Sequence, residues 1–320
     1  MKALLTFGEA LIELLQDPSG LDLYHRNAGG APANVAVGFA RLRGQSFFIG
    51  MLGADDFGKF LLAQLQHYDV DTRYVRRTAA ATTTLAVVAL DAGGDRSFSF
   101  YRPPSADLLF TADDLDPAAF IPKPYFHFCS NSLTHEPARS ATWRALELAE
   151  ENGCLTSFDV NWRPALWPQD GGDGGAARMI REVMPRAHLL KFSAGEWAWL
   201  CGDAPQEALE AHCFAGATEL IVITDGGQAV RTVTRKGSAY HRVPPLAVVD
   251  TTAAGDAFVA ALLRQLACHD IEPDQLRKRL ESPTWLAVQI AFAVRCASLA
   301  CTRYGAFSAL PTLAQYHKTE

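Results

Sequence analysis

The chain has 320 residues, 49% of them hydrophobic and 20% charged, which excludes an intrinsically disordered polypeptide and a polytopic membrane protein. A net charge of −6 argues against nucleic acid or an anionic membrane as the main partner, while leaving room for a locally positive substrate site. The seven cysteines are scattered, odd in number and without metal-ligand spacing, so they read as reduced thiols of a cytoplasmic protein.

Residues 3–8 form an apolar run that suits a first buried strand. Glu9 and Glu13 interrupt the run and no small-residue cleavage site follows, which argues against a secretion signal. Residues 11–15 extend that strand pattern without an intervening helix. A helix is predicted over 33–43, with Val35, Phe39 and Leu42 on one face, then a strand over 47–52 and a helix over 58–67. Residues 82–90 and 96–102 read as a hairpin around Asp91, Ala92, Gly93 and Gly94.

Strands follow at 125–129, 156–160, 188–192 and 221–224, with a helix over 138–152 and a Gly/Asp-rich surface loop over 170–175. A helix over 254–267 carries Phe258, Leu262 and Leu266 on one stripe. The apolar stretch 285–301 contains Gln289 and Arg295 and reads as a core helix rather than a membrane span. This alternation predicts a three-layer α/β/α fold with a mostly parallel sheet, one domain over 1–320. A small β-sheet from about 10–26 and 82–103 would project from it, as a lid or as an ordinary excursion.

The sharpest chemistry lies in Val249-Asp250-Thr251-Thr252-Ala253-Ala254-Gly255-Asp256-Ala257-Phe258. Small residues where a loop enters a helix let a ligand approach the backbone. The amides of residues 253–256 would point outward and carry the positive end of the helix dipole. Asp256 in the same turn could accept a proton from an attacking hydroxyl, as phosphoryl transfer requires. The other reading of Asp256 is a carboxylate that complements the helix N-terminus.

These residues resemble the ribokinase-like (PfkB) carbohydrate kinases, and among them the bacterial fructokinases. Their C-terminal signature, Asp-Thr-Thr-Gly-Ala-Gly-Asp-Ala-Phe, stands here intact except for Ala253 in place of the first glycine. Gly29-Gly30-Ala31-Pro32-Ala33-Asn34-Val35-Ala36-Val37 matches the N-terminal signature, and intermediate blocks extend the likeness over nearly the whole chain.

The resemblance implies an ATP-dependent kinase with Asp256 as catalytic base and Ala253, Ala254 and Gly255 as anion hole. The Ala253 methyl is tolerable there if its φ is negative. Gly29, Gly30 and Asn34 match the sugar-binding signature. Glu13 stands where the family usually has a shorter Asp. Phe100-Tyr101-Arg102-Pro103 is similar to the fructokinase lid, with Arg102 implied to reach the sugar. Asn161 and Arg163, in Asp159-Val160-Asn161-Trp162-Arg163-Pro164, would face the phosphate side.

On the nucleotide side the resemblance implies Thr224, Gly226 and Gly227 as the turn over ATP. It places Ser193 and Glu196 in the family's Asn-x-x-Glu metal motif, with Glu196 meeting Mg²⁺ through water. Ala293 or Val294 stands in place of an adenine-contacting Asn. Asp250 and Thr252 are similar to a monovalent-cation site for K⁺.

Segment 53–60 nearly spells a P-loop, but Phe60 stands where Ser or Thr must bind Mg²⁺, and Asp55 and Asp56 would repel phosphate. The expected reaction moves the γ-phosphoryl of MgATP to a primary hydroxyl of a small sugar, D-fructose first. The alternatives are 2-keto-3-deoxygluconate, ribose or a nucleoside as acceptor, and a catalytically silent sugar-binding regulator. The family and the apolar run 85–90 also predict a homodimer through the lid.

Overall fold

The computed structural model describes residues 1–17, 23–90, 96–167 and 172–318. The chain opens with β1 (Leu4–Phe7), then β2 (Leu11–Gln16) and β3 (Tyr24–Gly29). α1 (Ala31–Arg41), β4 (Ser46–Gly53), α2 (Asp56–His67), β5 (Val70–Asp71) and β6 (Val75–Thr78) follow, and then the hairpin strands β7 (Leu85–Leu90) and β8 (Arg96–Tyr101). The expected turn at 91–94 lies outside the described residues.

The second half runs β9 (Tyr125–Cys129), α3 (Ala138–Glu151), β10 (Thr156–Asp159), α4 (Gly172–Val183), β11 (Leu189–Ser193), α5 (Ala194–Cys201) and α6 (Gln206–Cys213). β12 (Leu220–Thr224), β13 (Val230–Thr234) and β14 (Gly237–His241) lead to α7 (Ala254–Cys268), α8 (Pro273–Leu280), α9 (Pro283–Ala300) and α10 (Leu313–Lys318).

Among the described residues, ten strands form one sheet in the order β14-β13-β12-β11-β10-β9-β1-β4-β5, with β6 also paired to β4. Every pair from β12 to β5 is parallel, whereas β13 and β14 add antiparallel to the edge. Parallel strands covered on both faces need apolar side chains throughout, and β1, β9 and β10 are buried at every position.

Successive strand residues point to opposite faces, which splits the core into two layers. Leu5, Phe126, Phe158 and Leu190 pack with α3, α4 and α5. Leu4, Tyr125, Leu189 and Val222 pack with α1, α7 and α9. The three-layer sandwich expected from the alternation is therefore present. α9, apolar enough by length and composition to cross a membrane, buries Ile290, Ala293 and Cys296 in this second layer.

The separate four-stranded sheet runs β3-β2-β7-β8, with β2 and β7 parallel and the outer pairs antiparallel. Two expectations change. Residues 172–175 open α4 instead of forming a loop, because Ala176, Ile180 and Val183 place one helical face in the core, while 170–171 lie outside the described residues. The run 85–88 is no open patch: Ala86 and Val88 are buried within the chain, and Leu85 and Val87 are half-buried.

The rejected P-loop segment has another job. Asp55 caps α2 by accepting from Gly58 N at 2.7 Å, and its other oxygen accepts from Thr83 N at 2.7 Å at the root of the small sheet.

Candidate active site

Five parallel strands end on one rim, where open α/β sheets gather ligands. Glu9 follows β1, Asn131 follows β9, Asn161 and Arg163 follow β10, Ser193 ends β11 and Thr224 ends β12. All six line one cavity of about 440 Å³, together with Asn34 of α1, Glu13, Ala86 and Phe100 of the small sheet, and residues 251–256. A second cavity of about 420 Å³, apolar and bounded by Val243, Pro244, Leu246 and Phe258, adjoins it. Both cavities are lined by Thr224, Thr251, Ala254 and Gly255, so they meet at the N-terminus of α7.

Asp256 is 7% exposed and lines the first cavity only. Its Oδ2 accepts from Asn34 Nδ2 at 2.7 Å, and its Oδ1 lies 3.4 Å from Asn161 Nδ2. Burial pushes its carboxyl above the usual value, against the pull of the Asn34 hydrogen bond, Lys191 and Arg163. That direction makes it a better proton acceptor than an ordinary aspartate. Among the described residues the Oδ1 of Asn34 has no hydrogen-bond partner, which leaves a buried acceptor for a hydroxyl.

The amides behave as expected with one exception. Ala254 N donates to Thr251 O at 3.2 Å, whereas among the described residues Ala253, Gly255 and Asp256 amides find no protein acceptor. The condition set for Ala253 is not met: it lies at φ 57°, ψ 12°, in the left-handed region. The glycine of the family signature suits that conformation without strain, and the alanine does not.

On the side facing the small sheet, Gly30 caps α1 at φ 108°, and a Cβ there would lie 2.5 Å from Glu9 O. Gly29 leaves room for the Glu13 carboxylate, whose Oε1 would be 2.7 Å from an added Cβ. Arg102 is corrected. It is absent from the cavity lining and 3% exposed, with Nε donating to Asp107 Oδ2 at 2.8 Å and Nη2 to Asn131 O at 2.9 Å. A buried guanidinium needs such partners, so it braces the root of the sheet instead of reaching the cavity.

Glu9 and Asn131 escaped the sequence reading. Glu9 is 2% exposed, accepts from Asn131 Nδ2 at 2.9 Å, and is pushed above the usual carboxylate range by burial against the pull of Arg102. Glu9 sits next to Gly8 at the end of the first strand, which was the available signal. Asn131, in a short turn after β9, gave none.

Toward the second cavity, Thr224, Gly226 (φ 51°) and Gly227 form the turn beneath it. Val294 faces this space with Ser298, while Ala293 is fully buried. Ser193 and Glu196 make a reciprocal cap of α5, and the Glu196 oxygens accept from Trp162 N at 2.8 Å and Ser193 N at 2.7 Å. Asp250 is 3% exposed and accepts from Thr252 N at 2.7 Å and Gly305 N at 3.0 Å.

The family described as pfkB family carbohydrate kinase matches residues 1–313. A fructokinase of Klebsiella pneumoniae is 41% identical over 307 residues, 95% of this chain and 94% of that protein. The fold is similar to a fructokinase with bound ATP from Xylella fastidiosa, at TM-score 0.94 and 38% identity, covering 99% and 98% of the two chains. It is also similar to a fructokinase from Vibrio cholerae O395 in a fructose-, ADP- and calcium-bound form, at TM-score 0.87, 31% identity and 99% and 98% coverage. With the signatures at both ends built into one rim, the chain belongs to the pfkB family of carbohydrate kinases.

Proposed function

We propose that the chain is an ATP-dependent fructokinase that transfers the γ-phosphoryl of ATP to a primary hydroxyl of D-fructose, giving fructose 6-phosphate. One observation carries the reading. A polar cavity holding a buried carboxylate and an apolar cavity sized for a nucleotide base meet at unsatisfied helix amides. The sugar occupies the first, with Asn34, Asn161 and Glu13 reading its hydroxyls, and the adenosine occupies the second, over Gly226 and Gly227. The relatives described above, one with ATP bound and one with fructose and ADP, support that division.

In this arrangement Asp256 takes the proton of the attacking hydroxyl, and the amides of Ala253, Gly255 and Asp256 hold the charge of the phosphoryl group. Folding of the small sheet over the sugar excludes water as a competing acceptor. Mg²⁺ would keep its waters and phosphate ligands and meet Glu196 through water, where it would neutralise phosphate charge. K⁺ near Asp250 and Thr252 belongs to the same proposal, as does a cytoplasmic location, which suits seven unpaired cysteines.

We include in it a homodimer through the lid. Tyr24 and Tyr101 stand 51% and 66% exposed on the small sheet, apolar surface a partner lid would cover. Sedimentation showing only monomer at micromolar concentration would remove it.

ADP release with fructose, against ribose, 2-keto-3-deoxygluconate and nucleosides, tests the activity. Asp256→Asn lowers kcat by about a hundredfold or more, the scale of a lost general base. Near-normal turnover of that variant would remove Asp256 from its role.

A further inference from the structure

Lys191 is a buried cation that the steps above leave unused. It is 6% exposed and lines the polar cavity from the middle of β11. Its ammonium donates to both oxygens of Asp159 on the neighbouring β10, at 3.0 and 3.1 Å. An ammonium has three donors, so one N–H remains after Asp159 is served. Asp256, Glu196 and His127 are the other titratable groups that feel it.

Gly255 shows what the ammonium faces. A Cβ added at Gly255 would lie 2.8 Å from Lys191 Nζ, and among the described residues that are not its chain neighbours no other side chain comes within 4 Å of that point. Gly255 has no positive φ, so no backbone conformation demands a glycine there. The glycine makes room for the cation. Lys191 Nζ thus rests against one of the four residues that both cavities share, one whose amide finds no protein acceptor among the described residues. Burying an ammonium costs several kcal/mol before its partner offsets it, and a purely structural pair has no reason to sit at this junction.

We propose that Lys191 is a further catalytic residue, whose ammonium contacts the phosphoryl oxygens as they pass between the two cavities, with Asp159 as the positioning residue that aims it. The inference rests on the kinase reading. In the step, the sugar oxygen bonds to the γ-phosphorus and the bond from that phosphorus to the β–γ bridging oxygen breaks. The hydroxyl proton goes to Asp256 and ADP leaves with the bond's electrons. Lys191 exchanges no proton and serves as fixed charge in a water-poor site.

The test uses the full chain and two variants. Lys191→Met leaves the Asp159 carboxylate unpaired, so the double variant Asp159→Asn/Lys191→Met is made beside it to restore a neutral, packed pair. Both lower kcat by about a hundredfold or more, as loss of one transition-state donor does, with little change in KM for sugar or ATP. Both also lose affinity for ADP with aluminium fluoride, a mimic of the transferring phosphoryl group, measured without sugar. A structural pair behaves otherwise: the double variant recovers turnover along with its melting temperature, and that result overturns the proposal. So does unchanged affinity for ADP with aluminium fluoride. The wild-type rate on fructose tests the sugar reading separately, because the aluminium fluoride comparison holds whichever sugar is accepted.

Discussion

Ala253→Gly is the change most directly set by the geometry. Ala253 sits at φ 57° immediately before α7, one residue from the amides that face both cavities. A left-handed conformation costs a non-glycine residue roughly 1–2 kcal/mol, because Cβ crowds the following carbonyl. Glycine removes that strain but gives the unfolded chain more freedom, which takes back roughly 0.4–1 kcal/mol. The expected net gain is therefore about 0.5–1 kcal/mol. At roughly 2–4 °C per kcal/mol for domains of 150–250 residues, and less for a longer chain, the melting temperature rises by about 1–3 °C. Turnover is equal to or above that of the parent, since the turn proposed to bind the phosphoryl group no longer carries a methyl. Scanning calorimetry and an ADP-coupled rate assay measure the two effects. Ala253→Val is the converse, since a β-branched side chain fits this region worst and should lower the melting temperature. A glycine variant that melts lower than the parent, or a valine variant that melts the same, would refute the strain argument.

Two further outcomes follow from the charges around the site. In its proposed role as base Asp256 must be deprotonated, so kcat/KM falls as pH drops through its raised pKa. Arg163 is among the groups holding that pKa down, so Arg163→Met moves the acid limb of the pH profile to higher pH. An unmoved limb would separate Arg163 from Asp256. Arg102→Met leaves Asp107 as a buried unpaired carboxylate and costs roughly 3–5 kcal/mol, seen as a lower urea midpoint. A variant with unchanged stability and a raised KM for sugar would restore Arg102 to the cavity.

What a sequence shows depends on whether the controlling neighbour lies close in the chain. β9 was readable because Tyr125–Cys129 is buried from end to end, and a strand covered on both faces has to be apolar. β3 was readable only in part, the small sheet being expected to end near 26, since Tyr24–Arg26 is exposed and the strand is held by its ladder to β2. Asp256 and Asn34 were found through motifs, although they meet across 222 residues of chain. Arg102 was misread for a related reason. Its position in the lid segment says nothing of Asp107, which gathers the guanidinium together with Thr84 and Ser105.

Ala253 and Gly255 carry the point further, because both lie inside one short motif. The substitution at 253 is visible in the letters, but its φ is set by the turn in which Ala254 N bonds Thr251 O. The glycine at 255 is visible too, and its backbone does not require it. Its reason is a lysine from β11, held by an aspartate from β10 that lies 32 residues from it. A lysine within an apolar strand reads as an interruption until that carboxylate is placed beside it. The glycine marks a gap, and only the packing of three separate segments shows that a positive charge fills it, beside a residue that both cavities share.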